Sequence, residues 1–97
     1  MNKLTVVAKL KAKQESVQKV KDELTKLIEP TRKEDGCIDY FMHQDNEDPS
    51  VFIFYENWES EDFLNSHMKT DHFKACLSVI EEQLESFDLH KVTQVMP

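Results

Sequence analysis

Residues 52–73 read FIFYENWESEDFLNSHMKTDHF and combine one strand with two helix start signals. The segment opens with aromatic and β-branched residues, which is typical of a buried strand. Ser60 then offers an N-cap oxygen for a first helix, and Thr70 offers one for a second. Because a strand leads directly into two helix starts, we expect part of any chemical site to lie at this junction.

The N-terminal part of the chain predicts a strand followed by an amphipathic helix. Apolar and polar residues alternate from Leu4 to Leu10, and this period of two is typical of a half-buried strand. Ser16 stands near the start of the next element. Its apolar residues then recur at helical spacing: Val17, Val20, Leu24, Leu27 and Ile28.

The segment between this helix and the next strand contains a proline and the only glycine of the chain. Pro30 either kinks the helix or opens a last turn, in which Thr31 and Glu34 have the spacing of a capping box. Gly36 stands between a basic helical turn and a strand. That position predicts a helix-terminating residue in the left-handed backbone region.

The remaining elements complete a ferredoxin-like pattern. Cys37 to Gln44 predicts the second strand, a turn-rich segment links it to the strand at Val51–Tyr55, and Phe73 to Leu84 has helical spacing. Phe87 to Val95 predicts a weaker last strand. The order βαββαβ predicts an α+β ferredoxin-like fold, with an antiparallel sheet and helices on one face. Both faces of the strands carry apolar residues, so we predict that a second copy covers the open face as a homodimer.

Composition limits the class of protein. The 97 residues predict a single domain spanning 1–97. A net charge of −7 argues against nucleic-acid partners, which require a basic face. No apolar run is long enough to span a membrane, and lysines interrupt the N-terminus where a signal peptide would be apolar. Cys37 and Cys76 fit no metal spacing and predict reduced thiols in a cytoplasmic protein.

Three short motifs carry a resemblance to a known family. They are Thr31-Arg32-x-Glu34-x-Gly36-Cys37-x-x-Tyr40, Phe52-x-x-Tyr55-Glu56-x-Trp58, and His67 followed by His72-Phe73. Together they resemble the antibiotic biosynthesis monooxygenase domain over essentially the whole chain. The resemblance implies a small dimeric α+β barrel with a ligand cavity between the helices and the sheet of each subunit.

The resemblance implies three kinds of activity. Some members are quinol or anthrone-type monooxygenases that use O2 without metal or flavin, others degrade heme, and others isomerise phosphorylated autoinducer sugars. The heme-degrading members carry Asn, Trp and His where this chain has Val7, His67 and Leu77, which argues against heme. The isomerase members share the strand-ending glutamate and the histidine spacing, so this alternative stays open.

His67 and Glu56 are the predicted catalytic residues. An imidazole titrates near neutrality and can remove a hydroxyl proton, although His67 could equally cap or pack its helix. Glu56 shares a strand face with aromatic residues, where burial raises the pKa of a carboxyl group or forces it to find a partner. It would orient His67, or pair structurally with Arg32 or a lysine.

The predicted substrate-binding residues are Trp58, Tyr40, Phe54, Phe73 and His72, although buried aromatics also occur as plain core. No metal site is predicted from His67, His72 and Glu56. A spacing of five does not place two histidines on one helical face, whereas the i,i+4 spacing of metal-binding helices does.

The predicted function is a cofactor-independent monooxygenase that oxidises a small quinol-like or polyphenolic substrate with O2, with no metal or organic cofactor. Two alternatives remain open. One is an isomerase of a small phosphorylated metabolite that uses the same His67, and the other is a non-catalytic small-molecule-binding module of the same fold. Several lysine, arginine or histidine side chains facing a phosphate in the pocket would favour the isomerase, and an apolar, flat pocket would favour the oxygenase. A pocket filled by Trp58 and Phe73 would favour the binding module.

Overall fold

The computed structural model describes residues 3–96 as a βαββαβ unit in which each helical segment is divided in two. The strands are β1 (Leu4–Ala12), β2 (Cys37–Gln44), β3 (Val51–Trp58) and β4 (Leu84–Val92). The helices are α1 (Val17–Thr25), α2 (Ile28–Arg32), α3 (Glu61–His67) and α4 (Asp71–Ile80). The predicted ferredoxin-like α+β fold is confirmed, with a last strand that begins and ends three residues earlier than predicted.

The sheet is antiparallel, with the strand order β2-β3-β1-β4 that places β1 and β3 at its centre. Ala8 on β1 lies opposite Phe54 on β3 and Leu89 on β4. Directly opposite residues share a face of the sheet, so the predicted alternation of β1 places Ala8 on the inner face, towards the helices. The core between this face and the helices includes Val6, Leu10, Phe52, Trp58, Val20, Leu24 and Ile80.

The first helical segment breaks before Pro30, not at it. Helix α1 ends at Thr25, and α2 begins at Ile28 with Pro30 in its first turn, where the backbone N–H groups have no helical partner to lose. The predicted capping box at Thr31 and Glu34 is wrong. Thr31 lies inside α2 and is fully buried, and the Glu34 side chain bonds to two histidines instead.

The two predicted helix starts at residues 60 and 70 are both confirmed in position. Ser60 is the N-cap residue of α3, but its side chain makes no cap hydrogen bond. Thr70 is the N-cap residue of α4, and its hydroxyl accepts a hydrogen bond from the Phe73 N–H. Helix α4, the longest of the chain with ten residues, is about half of what a bilayer crossing takes. Residues 3–96 accordingly contain no helix of membrane-spanning length and hydropathy.

Gly36 adopts the left-handed conformation that the sequence predicts, with a φ of +81°. A second constraint was not visible in the sequence. A Cβ atom on Gly36 would lie 2.1 Å from Cγ of Phe63, a residue of α3. Gly36 therefore serves both the turn before β2 and the close approach of α3 to that turn.

We expect Gly36→Ala to lower the free energy of unfolding by about 2–4 kcal/mol, because the left-handed conformation and the overpacking against Phe63 each cost energy. A loss of this size lowers the thermal midpoint by about 10 °C or more in a domain of this length. Thermal unfolding followed by circular dichroism measures it. Lys33→Ala, at an exposed position of the same turn, is the matched control. A Gly36→Ala midpoint equal to that of the control would contradict the prediction.

The outer face of the sheet, opposite the helices, exposes aromatic side chains. Phe41 on β2 lies opposite Tyr55 on β3, which lies opposite Val7 on β1. Phe41 and Tyr55 are 45% and 42% exposed, and Val92 on β4 is 40% exposed. No element of residues 3–96 covers this apolar surface.

Candidate functional site

A cavity of about 40 Å³ lies between the helices and the inner face of the sheet. Its wall is mostly aliphatic and aromatic, and the lining residues with oxygen or nitrogen side-chain atoms are Tyr40, Glu56 and His67. A water molecule needs about 10–15 Å³ of such space, so the cavity has room for only a few waters. An aromatic ligand can enter only if lining side chains such as Met68 and Phe73 move.

His67 ends helix α3 and is 2% exposed. Its ring is enclosed by three aromatic rings, with centroid distances of 4.9 Å to Trp58, 5.0 Å to Phe73 and 5.7 Å to Tyr40. Burial lowers the pKa of His67 below its usual value, and the hydrogen bond and negative charge of Glu34 offset part of that effect. Burial therefore favours the neutral imidazole.

The contact with Glu34 fixes which ring nitrogen of His67 carries the proton. Nδ1 of His67 lies 2.8 Å from Oε2 of Glu34. A carboxylate only accepts hydrogen bonds, so Nδ1 carries the N–H and Nε2 keeps its lone pair. Nε2 has no hydrogen-bond partner among residues 3–96, on a side chain that lines the cavity. This is the arrangement of a general base with a carboxylate behind it.

Glu34 is the site residue that sequence reasoning missed. It lies in the turn after α2, and the same Oε2 atom also lies 2.6 Å from Nε2 of His72 in α4. The resemblance motif did contain Glu34, but its spacing from Thr31 suggested a local capping role. Its true partners are more than 30 residues away in sequence.

The Thr70 hydroxyl connects the two histidine-bearing helices. It donates a hydrogen bond to the backbone carbonyl of His67 and accepts one from the backbone N–H of Phe73. Two residues, Met68 and Lys69, separate α3 from this cap. The positions of His67 and Phe73 at the cavity therefore depend on one short link.

Glu56 is buried, as predicted, but among residues 3–96 it forms no hydrogen bond or ion pair with any of its three predicted partners, which were His67, Arg32 or a lysine. Its Oε1 accepts a hydrogen bond of 2.9 Å from Nε1 of Trp58. His67 is held by Glu34 instead, and Arg32 donates two hydrogen bonds to the Tyr40 carbonyl. Burial raises the pKa of Glu56 to about 7, although the Trp58 hydrogen bond opposes the shift.

The cavity receives three of the five predicted substrate-binding residues. Tyr40, Phe54 and Phe73 line it, and burial together with the Glu56 charge raises the pKa of the Tyr40 hydroxyl. Trp58 is fully buried behind Glu56 and is not part of the lining. His72 bonds to Glu34 outside the lining. Trp58 is therefore connected to the cavity through its hydrogen bond to Glu56, and His72 through its contact with Glu34.

The five-residue spacing does not decide whether a metal site exists here. His67 and His72 belong to separate helices, so the rule for two positions on one helix does not apply to them. Both bring a ring nitrogen to Glu34, and the three possible ligand atoms all lie within 4.8 Å of one another. The carboxylate of this group is Glu34 and not Glu56.

Residues 3–78 match the sequence profile described as Antibiotic biosynthesis monooxygenase. The chain belongs to this family. The matched span includes Glu34, Glu56, Trp58, His67, His72 and Phe73. The family resemblance and the predicted fold are thereby both confirmed.

Similar proteins agree with membership of the antibiotic biosynthesis monooxygenase family. The probable quinol monooxygenase YgiN of Escherichia coli K12 is 32% identical over 82 residues, covering 74% of this chain and 79% of YgiN. The protein sll1783 of Synechocystis is 39% identical over 46 residues, which span 47% of this chain and only 31% of that protein. The crystal structure of PA3566 from Pseudomonas aeruginosa has a TM-score of 0.93 at 28% identity, covering 99% of this chain and 97% of PA3566.

Proposed function

We propose that this protein is a cofactor-independent monooxygenase that oxidises a small quinol-type or polyphenolic aromatic substrate with O2. The observation that carries the proposal is the protonation of His67. Its Nδ1–H is held by Glu34, and its unpartnered Nε2 belongs to a side chain that lines an apolar cavity. The similarity to YgiN supports the same substrate class.

In the proposed reaction, Nε2 of His67 accepts the proton of a substrate hydroxyl. The resulting anion is electron-rich enough to pass one electron to O2, and the substrate radical and superoxide then combine to form the C–O bond of a peroxide anion. The proton on Nε2 of His67 returns to the terminal peroxide oxygen and gives the hydroperoxide. Loss of water from the hydroperoxide leaves a carbonyl group. For a CH2 centre, as in anthrones, CH2 and O2 become C=O and H2O, so one oxygen atom enters the substrate and the other leaves as water.

The other polar residues of the cavity have supporting roles in this proposal. Glu34 is a positioning residue, because it holds the His67 ring and its proton without lining the cavity. The Tyr40 hydroxyl and the Glu56 carboxyl are the groups that can hydrogen-bond a substrate oxygen. Phe54 and Phe73 give an aromatic ring flat surfaces to pack on.

The composition of the cavity wall weighs against the isomerase alternative. Among residues 3–96, the cavity lining contains no lysine or arginine and one histidine, His67, whereas a phosphorylated substrate needs several cationic or strong donor groups. The small volume of the cavity is also compatible with a non-catalytic binding module. Trp58, however, does not fill the cavity, and the polar groups at its wall remain unused in such a module.

The proposal includes a homodimer formed through the outer face of the sheet. Phe41, Tyr55 and Val92 expose apolar surface there, and a second copy is the simplest cover for it. Multi-angle light scattering should give twice the chain mass, and Tyr55→Asp should shift it to the single-chain mass. A wild-type mass of 11.4 kDa would contradict the dimer.

The proposal also places the protein in the cytoplasm. The free thiols of Cys37 and Cys76 support a reducing compartment.

Oxygen uptake tests the proposed function. The purified, metal-stripped chain is assayed with a panel of reduced quinones and anthrones. We expect uptake above autoxidation that a base-deficient His67 variant loses and His43→Ala retains, because His43 lies on the outer face of the sheet and does not line the cavity. Uptake equal to autoxidation across the panel would overturn the oxygenase, and a phosphosugar panel would then test the isomerase.

A further inference from the structure

Glu34, His67 and His72 form a cluster of ligating atoms that the proposed reaction uses only in part. Oε2 of Glu34 lies 2.8 Å from Nδ1 of His67 and 2.6 Å from Nε2 of His72. The residues come from the turn after α2, the end of α3 and the start of α4. Side-chain exposure rises from 3% at His67 through 12% at Glu34 to 29% at His72, which leaves a path from solvent.

We propose that these three side chains bind a divalent transition-metal cation, with Zn²⁺ as the best fit, and that the bound ion switches off the His67 base. Two imidazole nitrogens and one carboxylate oxygen are a ligand set that zinc takes in sites with an open fourth position. Water would fill that position. The inhibitory part of the proposal rests on the proposed function, and the binding part does not.

The distances allow the ion to enter with small movements. Ligand atoms about 2.0–2.1 Å from a tetrahedral zinc lie about 3.3 Å from one another. The two nitrogens lie within 4.8 Å of each other and need to approach by at most about 1.5 Å, and the carboxylate oxygen needs to withdraw by well under about 1 Å from each nitrogen. His72, at the exposed side of the cluster, is the residue that can turn towards an entering ion.

Zinc would change the proton position on His67. A neutral imidazole carries one N–H, so a metal on Nδ1 requires the proton to be on Nε2. The group that faces the cavity then donates a hydrogen bond and no longer accepts a proton. His72 changes in the same way, from an N–H on Nε2 to one on Nδ1. In each ring the proton moves through solvent from the nitrogen that binds the metal to the other nitrogen.

Zinc binding is measured on the full chain after chelator treatment, by competition with a chromophoric chelator. We expect one ion per chain, with affinity at least about 100-fold lower in His72→Ala, which removes one of three ligands. His72 is partly exposed, so this variant should keep the fold. His43→Ala and His90→Ala, which remove exposed histidines of the outer face, should bind zinc like the wild type. Glu34→Gln should weaken binding as His72→Ala does.

Nitrogen NMR of 15N-histidine-labelled protein gives a second readout that is independent of activity. The His67 signals should change from the Nδ1–H form to the Nε2–H form as one equivalent of zinc is added. The site is overturned by an absence of stoichiometric binding, by binding that His72→Ala leaves unchanged, or by an unchanged His67 tautomer.

The binding and activity results separate the two proposals. Zinc bound at these residues in a chain that consumes no oxygen would overturn the proposed function and leave the site intact. Oxygen uptake by a chain that binds no zinc would overturn the zinc site and leave the proposed function intact. If both hold, zinc at one equivalent should suppress the uptake, and a chelator should restore it. Uptake that continues with the site filled would overturn the inhibitory role.

Discussion

His67→Asn should lower the oxygen-uptake rate by at least about 100-fold, which is the usual contribution of a positioned general base. Asparagine places an amide nitrogen near the position of Nδ1 and can still donate to Glu34, but it has no atom in the place of Nε2. The variant therefore separates loss of the base from loss of the buried hydrogen bond. His67→Ala should show the same loss of activity with a larger loss of stability, because it leaves a space beside Trp58 and Phe73.

The fold should survive both His67 substitutions, because Glu34 keeps its contact with His72 and is not left without a donor. Steady-state oxygen consumption measures the rate, and thermal unfolding confirms the fold. His43→Ala should match the wild type in both. A His67→Asn variant that keeps more than about half of the wild-type rate would remove His67 from the mechanism, since a base contributes far more than that.

Glu34→Gln tests the positioning role within the same prediction. A glutamine amide can present an N–H to Nδ1 of His67, which moves the ring proton to Nε2 and removes the base without removing the imidazole. In enzymes where a buried carboxylate holds the catalytic histidine, replacing that carboxylate by its amide lowers kcat strongly, because the histidine then carries its proton on the wrong nitrogen. We expect kcat to fall while KM changes little. A purely structural role for Glu34 would instead lower the thermal midpoint and leave kcat per folded molecule unchanged.

Glu56→Gln should remove about 2 kcal/mol of pH dependence from the free energy of unfolding between pH 5 and pH 8. The pKa of Glu56 is raised to about 7 in the folded chain, from 4.5 for an ordinary glutamate. Between these values the folded state binds more protons than the unfolded state. Stability from this group is therefore fully present below pH 4.5 and is lost as the pH rises through 7. The glutamine side chain of the variant would stay neutral and could still accept the Trp58 hydrogen bond.

The wild-type profile alone does not isolate Glu56, because His67 acts in the opposite direction. The pKa of His67 is lowered on folding, so the folded state binds fewer protons and its stability rises with pH up to the ordinary value of 6.5. The difference between wild type and Glu56→Gln cancels this contribution. Urea unfolding at pH 5, 6, 7 and 8, followed by fluorescence of the single tryptophan, gives the two curves. Parallel curves would show that Glu56 does not titrate in this range.

The fold was predictable because its signals are local. The alternation of β1, the cap at Thr70 and the left-handed turn at Gly36 each depend on a few neighbouring residues, and the structure confirms all three. Local reasoning failed at Thr31 and Glu34, whose spacing suggested a capping box. The side chain of Glu34 is directed instead by the packing of the α2–β2 turn against α3 and α4.

The sequence predicted most residues of the candidate site, but it missed Glu34 and did not predict which side chains bond to each other. His67, Tyr40 and Phe73 line the cavity. The partner of each charged group, however, depends on which elements meet in three dimensions. Glu56 is two residues from its partner Trp58, but nothing in the spacing distinguishes that pairing from one with a histidine or an arginine.

The link of residues 68–70 has a consequence for comparing relatives. Because the Thr70 hydroxyl ties the end of α3 to the first turn of α4, an insertion or deletion here would separate the two histidines without changing either. Conserved histidines in a relative are therefore not enough to infer the same chemistry. A relative is expected to hold its two histidines in the same arrangement only if it has the same number of residues between them and a hydroxyl residue at the cap position.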